Sequence, residues 1–422
     1  LAKLSQVQSI KDIPQLTHAL FPGTHCPLMG AAMAVGGIKD SLIVVVGTDE
    51  CTYYTKSMTI HSEKFGGIDG RCVSVVLDDH DVTFGSAEKV QGAFKEIIEE
   101  YRPQCVFLVT TCVIEIIGDD FDAISEGLSE LYGIPVLPVH TEHFKCEDHL
   151  PGLERTITVC AEMMKSCDCD NSVNLLGQRM GDFATTELYA MLQKAGVKIG
   201  LQLPCGCSVD DIKNAAAAKV NIVVNDIALP LAQKMQEKFG IPYVYFNKFV
   251  IPEKIYEAYK NLFGYLELEL PGELEGLYQN AREKIEKNKG ELEGITYIYG
   301  NTPYAVFEMN CFLSSLGMVP QVIQTNRYTE ADEPYAKEIL QYTDPYVCKA
   351  ANIAPLQYVY DVLSPYLYLG HEFGNRLRQK GIAIVHSDRA SGMLGFEVTG
   401  YLLQQLVKSV REAKEYRKEL CL

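Results

Sequence analysis

Twelve short apolar runs, separated by helix-like stretches, constrain the fold of this 422-residue chain more than any other feature. They cover residues 41–46, 72–77, 105–109, 135–139, 173–176, 199–203, 220–224, 243–246, 295–299, 321–324, 366–369 and 382–385. Val, Ile, Leu and Tyr dominate them without polar alternation, which suits parallel strands covered on both faces. Between them, segments such as 86–101, 229–239 and 273–287 repeat apolar residues at three and four spacing, the pattern of amphipathic crossover helices. The chain therefore reads as α/β, with mainly parallel, doubly wound sheets. Twelve strands are too many for one small sheet. Polar breaks at Ser166-Cys-Asp-Cys-Asp-Asn and Lys287-Asn-Lys-Gly divide the chain into units 1–168, 169–290 and 291–422, the last ending in a helix.

Charge and cysteine content narrow the partners. With 38 Lys and Arg against 55 Asp and Glu, the formal charge of −17 argues against nucleic acid or an anionic membrane as the main partner. No run of 18 apolar residues occurs, and residues 1–16 lack the pattern of a signal peptide. The absent initiator Met suggests a processed start, and the expected location is the cytoplasm. In that reducing compartment, 14 cysteines read as thiols or metal ligands rather than disulfides.

Ligands of open α/β sheets gather beyond the carboxyl ends of the strands. There the sequence sets Gly47-Thr-Asp-Glu-Cys51, Thr110-Thr-Cys112, His140, Pro204-Cys-Gly-Cys207, Asn225, Gly370-His371 and His386. Cys72, Cys105, Cys160 and Cys311 fall inside elements instead and read as core. For Cys26, Cys51 and Cys112 two readings stand: ordinary loop thiols, or thiolate ligands of an iron–sulfur cluster, for which soft sulfur donors are suited. Three thiolates leave one corner of a four-iron cluster unfilled. Either a fourth ligand comes from elsewhere or the cluster sits at a subunit interface.

The segment Thr110-Thr-Cys-Val-Ile-Glu-Ile-Ile-Gly-Asp-Asp120 resembles the Thr-Cys-x-x-x-x-Ile-Gly-Asp-Asp signature of the nitrogenase component 1 family. Cys26-Pro-Leu-Met-Gly-Ala-Ala, Gly37-Ile-Lys-Asp and Gly47-Thr-Asp-Glu-Cys-Thr-Tyr-Tyr54 are similar to its first two cluster cysteines and the helix between them. Asp81-Val-Thr-Phe-Gly85, Val173-Asn-Leu-Leu-Gly177 and Lys219-Val-Asn-Ile-Val-Val224 resemble further stretches, so the likeness covers nearly the whole chain. The resemblance implies three Rossmann-like domains and a like subunit, in a homo- or heterodimer or a tetramer. At the interface it implies an iron–sulfur cluster, 4Fe-4S or larger and P-cluster-like, on Cys26, Cys51 and Cys112. A separate ATP-dependent iron–sulfur reductase would supply single electrons. Consistent with that division, no Gly-x-x-x-x-Gly-Lys-Ser/Thr loop and no convincing dinucleotide fingerprint occur here.

The substrate is less legible. Val385-His-Ser-Asp388 is similar to the histidine motif of the nitrogen-reducing member, but the matching cofactor cysteine falls on Asn225, a poor replacement for thiolate on iron. Cys205 and Cys207 offer either a displaced thiolate or a tight turn at Gly206. A second metallocofactor is thus left open. His140-x-x-His143-x-x-Cys146-x-x-His149 reads as a metal-binding turn, a cavity lining or a solvated loop. Cys167-Asp-Cys169 reads as linker, and Asp78-Asp-His-Asp81 as a turn. His386 and His371, with the histidines of the 140–149 loop, are the candidate proton donors. Three functions fit: a reductase component, of tetrapyrrole-like substrates among others; a scaffold for assembling a metallocluster; and a cluster-free ligand-binding module.

Overall fold

The computed structural model describes residues 1–17, 25–60, 70–146, 148–179, 181–300, 302, 304–349 and 353–421. All twelve apolar runs form strands, and they lie in three separate sheets. In the first, Ser41–Gly47 runs parallel between Cys72–Val76 and Cys105–Thr110, and Val136–Val139 adds beyond the latter. The second repeats this plan: Val173–Gln178 lies between Ile199–Pro204 and Val220–Val223, with Tyr243–Tyr245 outermost. In the third, Thr296–Tyr299 is central, flanked by Val319–Gln324 and Tyr346–Cys348 on one side and by Leu367–Leu369 and Ala383–Val385 on the other. Apart from the edge strand Ala2–Lys3 of the third, each of these sheets is built outward from its first strand in both directions, the doubly wound plan that the unbroken apolar runs imply.

Four strands lay beyond sequence reasoning. Ala2–Lys3, Ile38–Lys39 and Cys207–Ser208 have two residues each, too few to show a period. Tyr346–Cys348 follows Asp344-Pro345, a pair that reads as a turn.

A shared core spans the expected division at 168. One hydrophobic core joins Phe107 and Leu137 of the first sheet to Leu176 and Leu201 of the second, through the helices Pro27–Gly36 and Leu150–Val159. Residues at the start of the chain leave the first unit altogether. Ala2–Lys3 pairs antiparallel with Tyr346–Cys348, and Leu4, Val7 and Ile13 sink into the third core. The division at 290 is also soft: the helix Leu274–Leu292 buries Leu274 and Ala281 in the second core and Leu292 in the third. As expected from their places within elements, Cys72, Cys105, Cys160 and Cys311 are buried. Burial pushes the Cys105 thiol up to about 12, as suits inert packing. Among the described residues no helix is long and apolar enough to cross a membrane.

Candidate functional site

In a doubly wound sheet, the first strand and the strand added on its other side diverge into opposite connections, and a crevice opens beyond their carboxyl ends. In the first sheet those strands are Ser41–Gly47 and Cys105–Thr110, paired in register from Ser41 with Cys105 to Val46 with Thr110. Cys51 and Cys112 stand at that crevice. Cys51 lies in the first turn of the helix Asp49–Ile60, where the Thr48 hydroxyl donates to its sulfur at 3.6 Å. Cys112 opens the helix Cys112–Ile117. Gly47 allows the two loops to touch: a Cβ there would meet Thr111 Oγ1 at 2.1 Å, and that hydroxyl donates to the Val46 carbonyl at 2.9 Å.

Cys26 arrives from another direction. It caps the helix Pro27–Gly36, whose Pro27 suits the first turn. This helix crosses Leu150–Val159 at backbone contact. A Cβ on Gly30 would sit 1.9 Å from the His149 carbonyl oxygen, and one on Gly152 would sit 1.8 Å from that of Pro27. All three thiols are half-buried, and Cys26 and Cys51 pack against the core shared by the first two sheets. Burial, then the thiols of Cys51 and Cys26, push the Cys112 thiol above its ordinary value. Cys51 and Cys26 are thus close enough to act on Cys112, although the three sulfurs do not all lie within 4.8 Å of one another. Three soft donors whose negative forms repel one another fit a polynuclear iron site, because bound cations remove that repulsion.

The family-like motif around Cys112 has a structural reading residue by residue. Gly118, at φ 81°, ends the short helix in the left-handed region. Asp119 then accepts from the backbone N–H of Ser86 at 2.7 Å and from its hydroxyl at 2.6 Å. Asp120 caps Phe121–Tyr132 by accepting from the Ala123 N–H. Glu115, which sequence reasoning passed over, accepts from the Thr141 hydroxyl at 2.8 Å and the His143 N–H at 2.9 Å. The helices Asp79–Phe84 and Cys112–Ile117 pack together and leave Val82, Phe84 and Ile116 exposed.

The metal reading of the 140–149 loop is not supported. The described residues bring no three of its potential ligands together, although a 3₁₀ turn does form at His143–Lys145. His140 faces Asp122 at 3.1 Å, while Cys146 lies against the Thr141 carbonyl and the Arg155 guanidinium. His149 points the other way, its ring edge-on to His25 with centroids 6.2 Å apart. Spacing of three placed these residues on different sides of an irregular loop. Asp78, His80 and Asp81 do cluster, but as a helix cap: Asp78 accepts from the N–H groups of His80 and Asp81, and Lys89 neutralises both carboxylates.

A second group forms where the second and third sheets meet the first. Arg179 follows Val173–Gln178, Asn225 and Asp226 follow Val220–Val223, and Lys248 follows Tyr243–Tyr245. Arg179 reaches His149 at 3.3 Å, and Asp226 pairs with Arg327 from the third sheet at 2.9 Å. Burial and Arg179 hold His149 down at about 4, so its ring is neutral. Asn225 is engaged locally, since its side-chain oxygen accepts from the Ile227 N–H at 3.2 Å and caps a 3₁₀ turn. Cys207 is core, whereas Cys205 donates to the Arg179 carbonyl at 3.6 Å beside Gly206, at φ 88°. His371 and His386 follow paired strands, Leu369 being opposite Val385, and both side chains are exposed. His371 meets Asp388 at 3.2 Å.

A family model described as nitrogenase component 1 type oxidoreductase matches residues 26–411. The chain belongs to this family. Within it, the iron-molybdenum cofactor biosynthesis protein NifE of Clostridium pasteurianum is 31% identical over 224 residues, which is 52% of this chain and 49% of that protein. NifE of Rippkaea orientalis is 25% identical over 331 residues, or 75% and 69%. The nitrogenase molybdenum-iron protein alpha chain of Methanosarcina barkeri is 24% identical over 330 residues, or 74% and 62%. The chain thus spans about half the length of the first relative. A solved structure described as nitrogenase Cp1 at pH 6.5 superposes with a TM-score of 0.80 at 15% identity, covering 94% of each chain, and so shares the family fold.

Proposed function

We propose that this family member is the substrate-handling component of a nitrogenase-like reductase. Cys26, Cys51 and Cys112 would hold an iron–sulfur cluster shared with a like subunit, which when bound supplies single-electron transfer. The observation that carries this reading is the convergence of three thiols, two of them at the crevice of the first sheet and the third brought in by the Gly30–Gly152 helix crossing. Gly47 and Thr111 fix the spacing of the two loops, and Asp119 and Glu115 brace the helix of Cys112. Val82, Phe84 and Ile116, 47%, 76% and 73% exposed, form an apolar patch suited to docking of an ATP-dependent iron–sulfur reductase. Substrate would lie in the chamber bordered by Arg179, Asn225 and Lys248. His386 and His371 remain the proposed proton donors, with Asp388 orienting the His371 ring.

Anaerobic purification with iron and sulfide analysis tests the cluster. Wild-type protein should be brown, and Cys112→Ala should lose colour and iron while keeping its circular dichroism and melting temperature. Full retention of iron in that variant would sink the assignment.

A second reading, a scaffold on which a metallocluster matures, is favoured by one observation. Asn225 stands where the resemblance implies a cofactor cysteine, and its side-chain oxygen caps a 3₁₀ turn. The names of the NifE relatives point the same way. Incubation with the reductase and ATP separates the two: a reductase component forms product over many cycles, whereas a scaffold releases iron to an acceptor protein once.

A further inference from the structure

Two helices from different units exchange their first-turn carboxylates. Glu187 opens the helix Glu187–Lys194 beside the second sheet, and Glu397 opens the helix Glu397–Glu419, which follows the third. Glu187 Oε1 accepts from the Phe396 N–H at 3.0 Å and from the Tyr259 hydroxyl at 3.0 Å, and its Oε2 accepts from the Glu397 N–H at 3.2 Å. In return, Glu397 Oε1 accepts from the Glu187 N–H at 3.1 Å and from the Leu394 N–H at 3.2 Å. Gly395, at φ 116°, lies between them, and a Cβ there would stand 2.4 Å from Glu187 Oε1. Leu394 and Phe396 on either side of it are buried in the second core.

The helix Glu187–Lys194 does not need this carboxylate for itself, because the Thr186 hydroxyl already caps it by accepting from the Tyr189 N–H at 3.2 Å. The 23-residue helix Glu397–Glu419, in contrast, has no capping side chain at Phe396. Glu187 meets its first N–H groups and the positive end of its dipole instead. Burial pushes the Glu187 carboxyl up, and the Phe396 N–H and the Tyr259 hydroxyl oppose this. Glu187 therefore acts on the other unit, where it fixes the far end of the loop 387–396. Both proposed proton donors depend on that loop. His386 precedes it at the end of Ala383–Val385, exposed and with no hydrogen-bond partner for its ring among the described residues, so the backbone alone sets its position. Asp388, within the loop, meets the His371 ring at 3.2 Å.

We propose that Glu187 is a positioning residue for His386 and His371, acting through the loop 387–396. Its carboxylate pins the end of that loop to the second unit, and the backbone between this anchor and the strand Ala383–Val385 holds His386 and Asp388 in place. This rests on the reading above in taking the two histidines as proton donors. The measurements that test it use no turnover, so a failed anchor and a failed donor assignment show up separately.

The full chain, isotope-labelled at histidine, gives ring signals in nuclear magnetic resonance that His386→Gln and His371→Gln identify. In Glu187→Ala both signals should shift, while that of His80, on the helix Asp79–Phe84 of the first unit, stays in place. Amide hydrogen exchange over 387–396, read by mass spectrometry, should accelerate roughly tenfold or more in the same variant. Glu187→Gln keeps one oxygen for the Phe396 N–H and should fall between wild type and Glu187→Ala. Ser208→Ala is the control, since Ser208 caps the helix Val209–Lys213 of the second unit and bonds nothing in the loop. It should leave both readouts at the wild-type level. Failure of either readout to change in Glu187→Ala would overturn the proposal, as would equal changes in Ser208→Ala. If Glu187→Ala does not fold, Glu187→Gln decides by the same criteria.

Discussion

Glu308 shows how strongly one enclosed residue can couple folding to protons. Its side chain is 4% exposed, one carboxylate oxygen has no hydrogen-bond partner among the described residues, and burial holds the carboxyl up at about 7. Lys254 and the Val250 N–H partly oppose this, while Tyr245, Tyr299 and Cys311 are the other titratable groups facing it. Between the ordinary glutamate value and 7, the unfolded chain has released this proton and the folded chain retains it. Stability from this group is therefore intact at low pH and falls as pH rises through that window, by about 2–3 kcal/mol. Glu308→Gln should flatten the fall and be more stable than wild type at pH 8 by about 2 kcal/mol, as read by urea denaturation at pH 5 and pH 8. At Gly47 the constraint is steric: Gly47→Ala should destabilise by about 1–3 kcal/mol and lower the iron content, because the new methyl displaces the Thr111 hydroxyl. Single residues were unevenly legible in sequence. Cys51 and Cys112 were visible because they follow strands directly. Arg179 and Lys248 also follow strands, but a lone cation reads as a solvated side chain until its burial is known.

Elements were legible wherever a period had room to show. The runs at 105–109 and 220–224 became strands because unbroken apolar residues are stable only when both faces are covered. Helix crossings left no such signal. Gly30 and Gly152 look like ordinary small residues in the sequence, yet they permit the backbones of Pro27–Gly36 and Leu150–Val159 to touch. Gly30→Ala should destabilise by about 3 kcal/mol and shift Cys26, so calorimetry should show a lower melting temperature and iron analysis a loss. Asp119 joins two other elements, and Asp119→Ala should remove the bonds to Ser86 at a cost of about 1–3 kcal/mol. Because Asp79–Phe84 would then move relative to Cys112–Ile117, that variant should also lose affinity for the reductase, measurable by co-sedimentation. The 140–149 loop shows the converse. Even spacing of His and Cys suggested one site, but an irregular backbone turned His140 toward Asp122 and His149 toward Arg179.

Across the whole molecule, the three sheets do not correspond to three consecutive stretches of chain. The first two share a core, and the third is completed by residues from the opening of the sequence. No local pattern could reveal this, since a two-residue strand has no period and Leu4, Val7 and Ile13 resemble any loop hydrophobics. Removing residues 1–13 should destabilise the third sheet by on the order of 5 kcal/mol, and limited proteolysis should then cut first near 344–349. The pairing of Ala2–Lys3 with Tyr346–Cys348 also sets a timetable. Lys3 Nζ bonds the Asp344 carbonyl across a separation of 341 residues. A ribosome adding ~5–20 residues per second would need roughly 20–70 s to supply that partner. Throughout that interval Leu4, Val7 and Ile13 have no native surface to cover them, so the nascent chain offers a chaperone a binding site that closes only when the third sheet is complete.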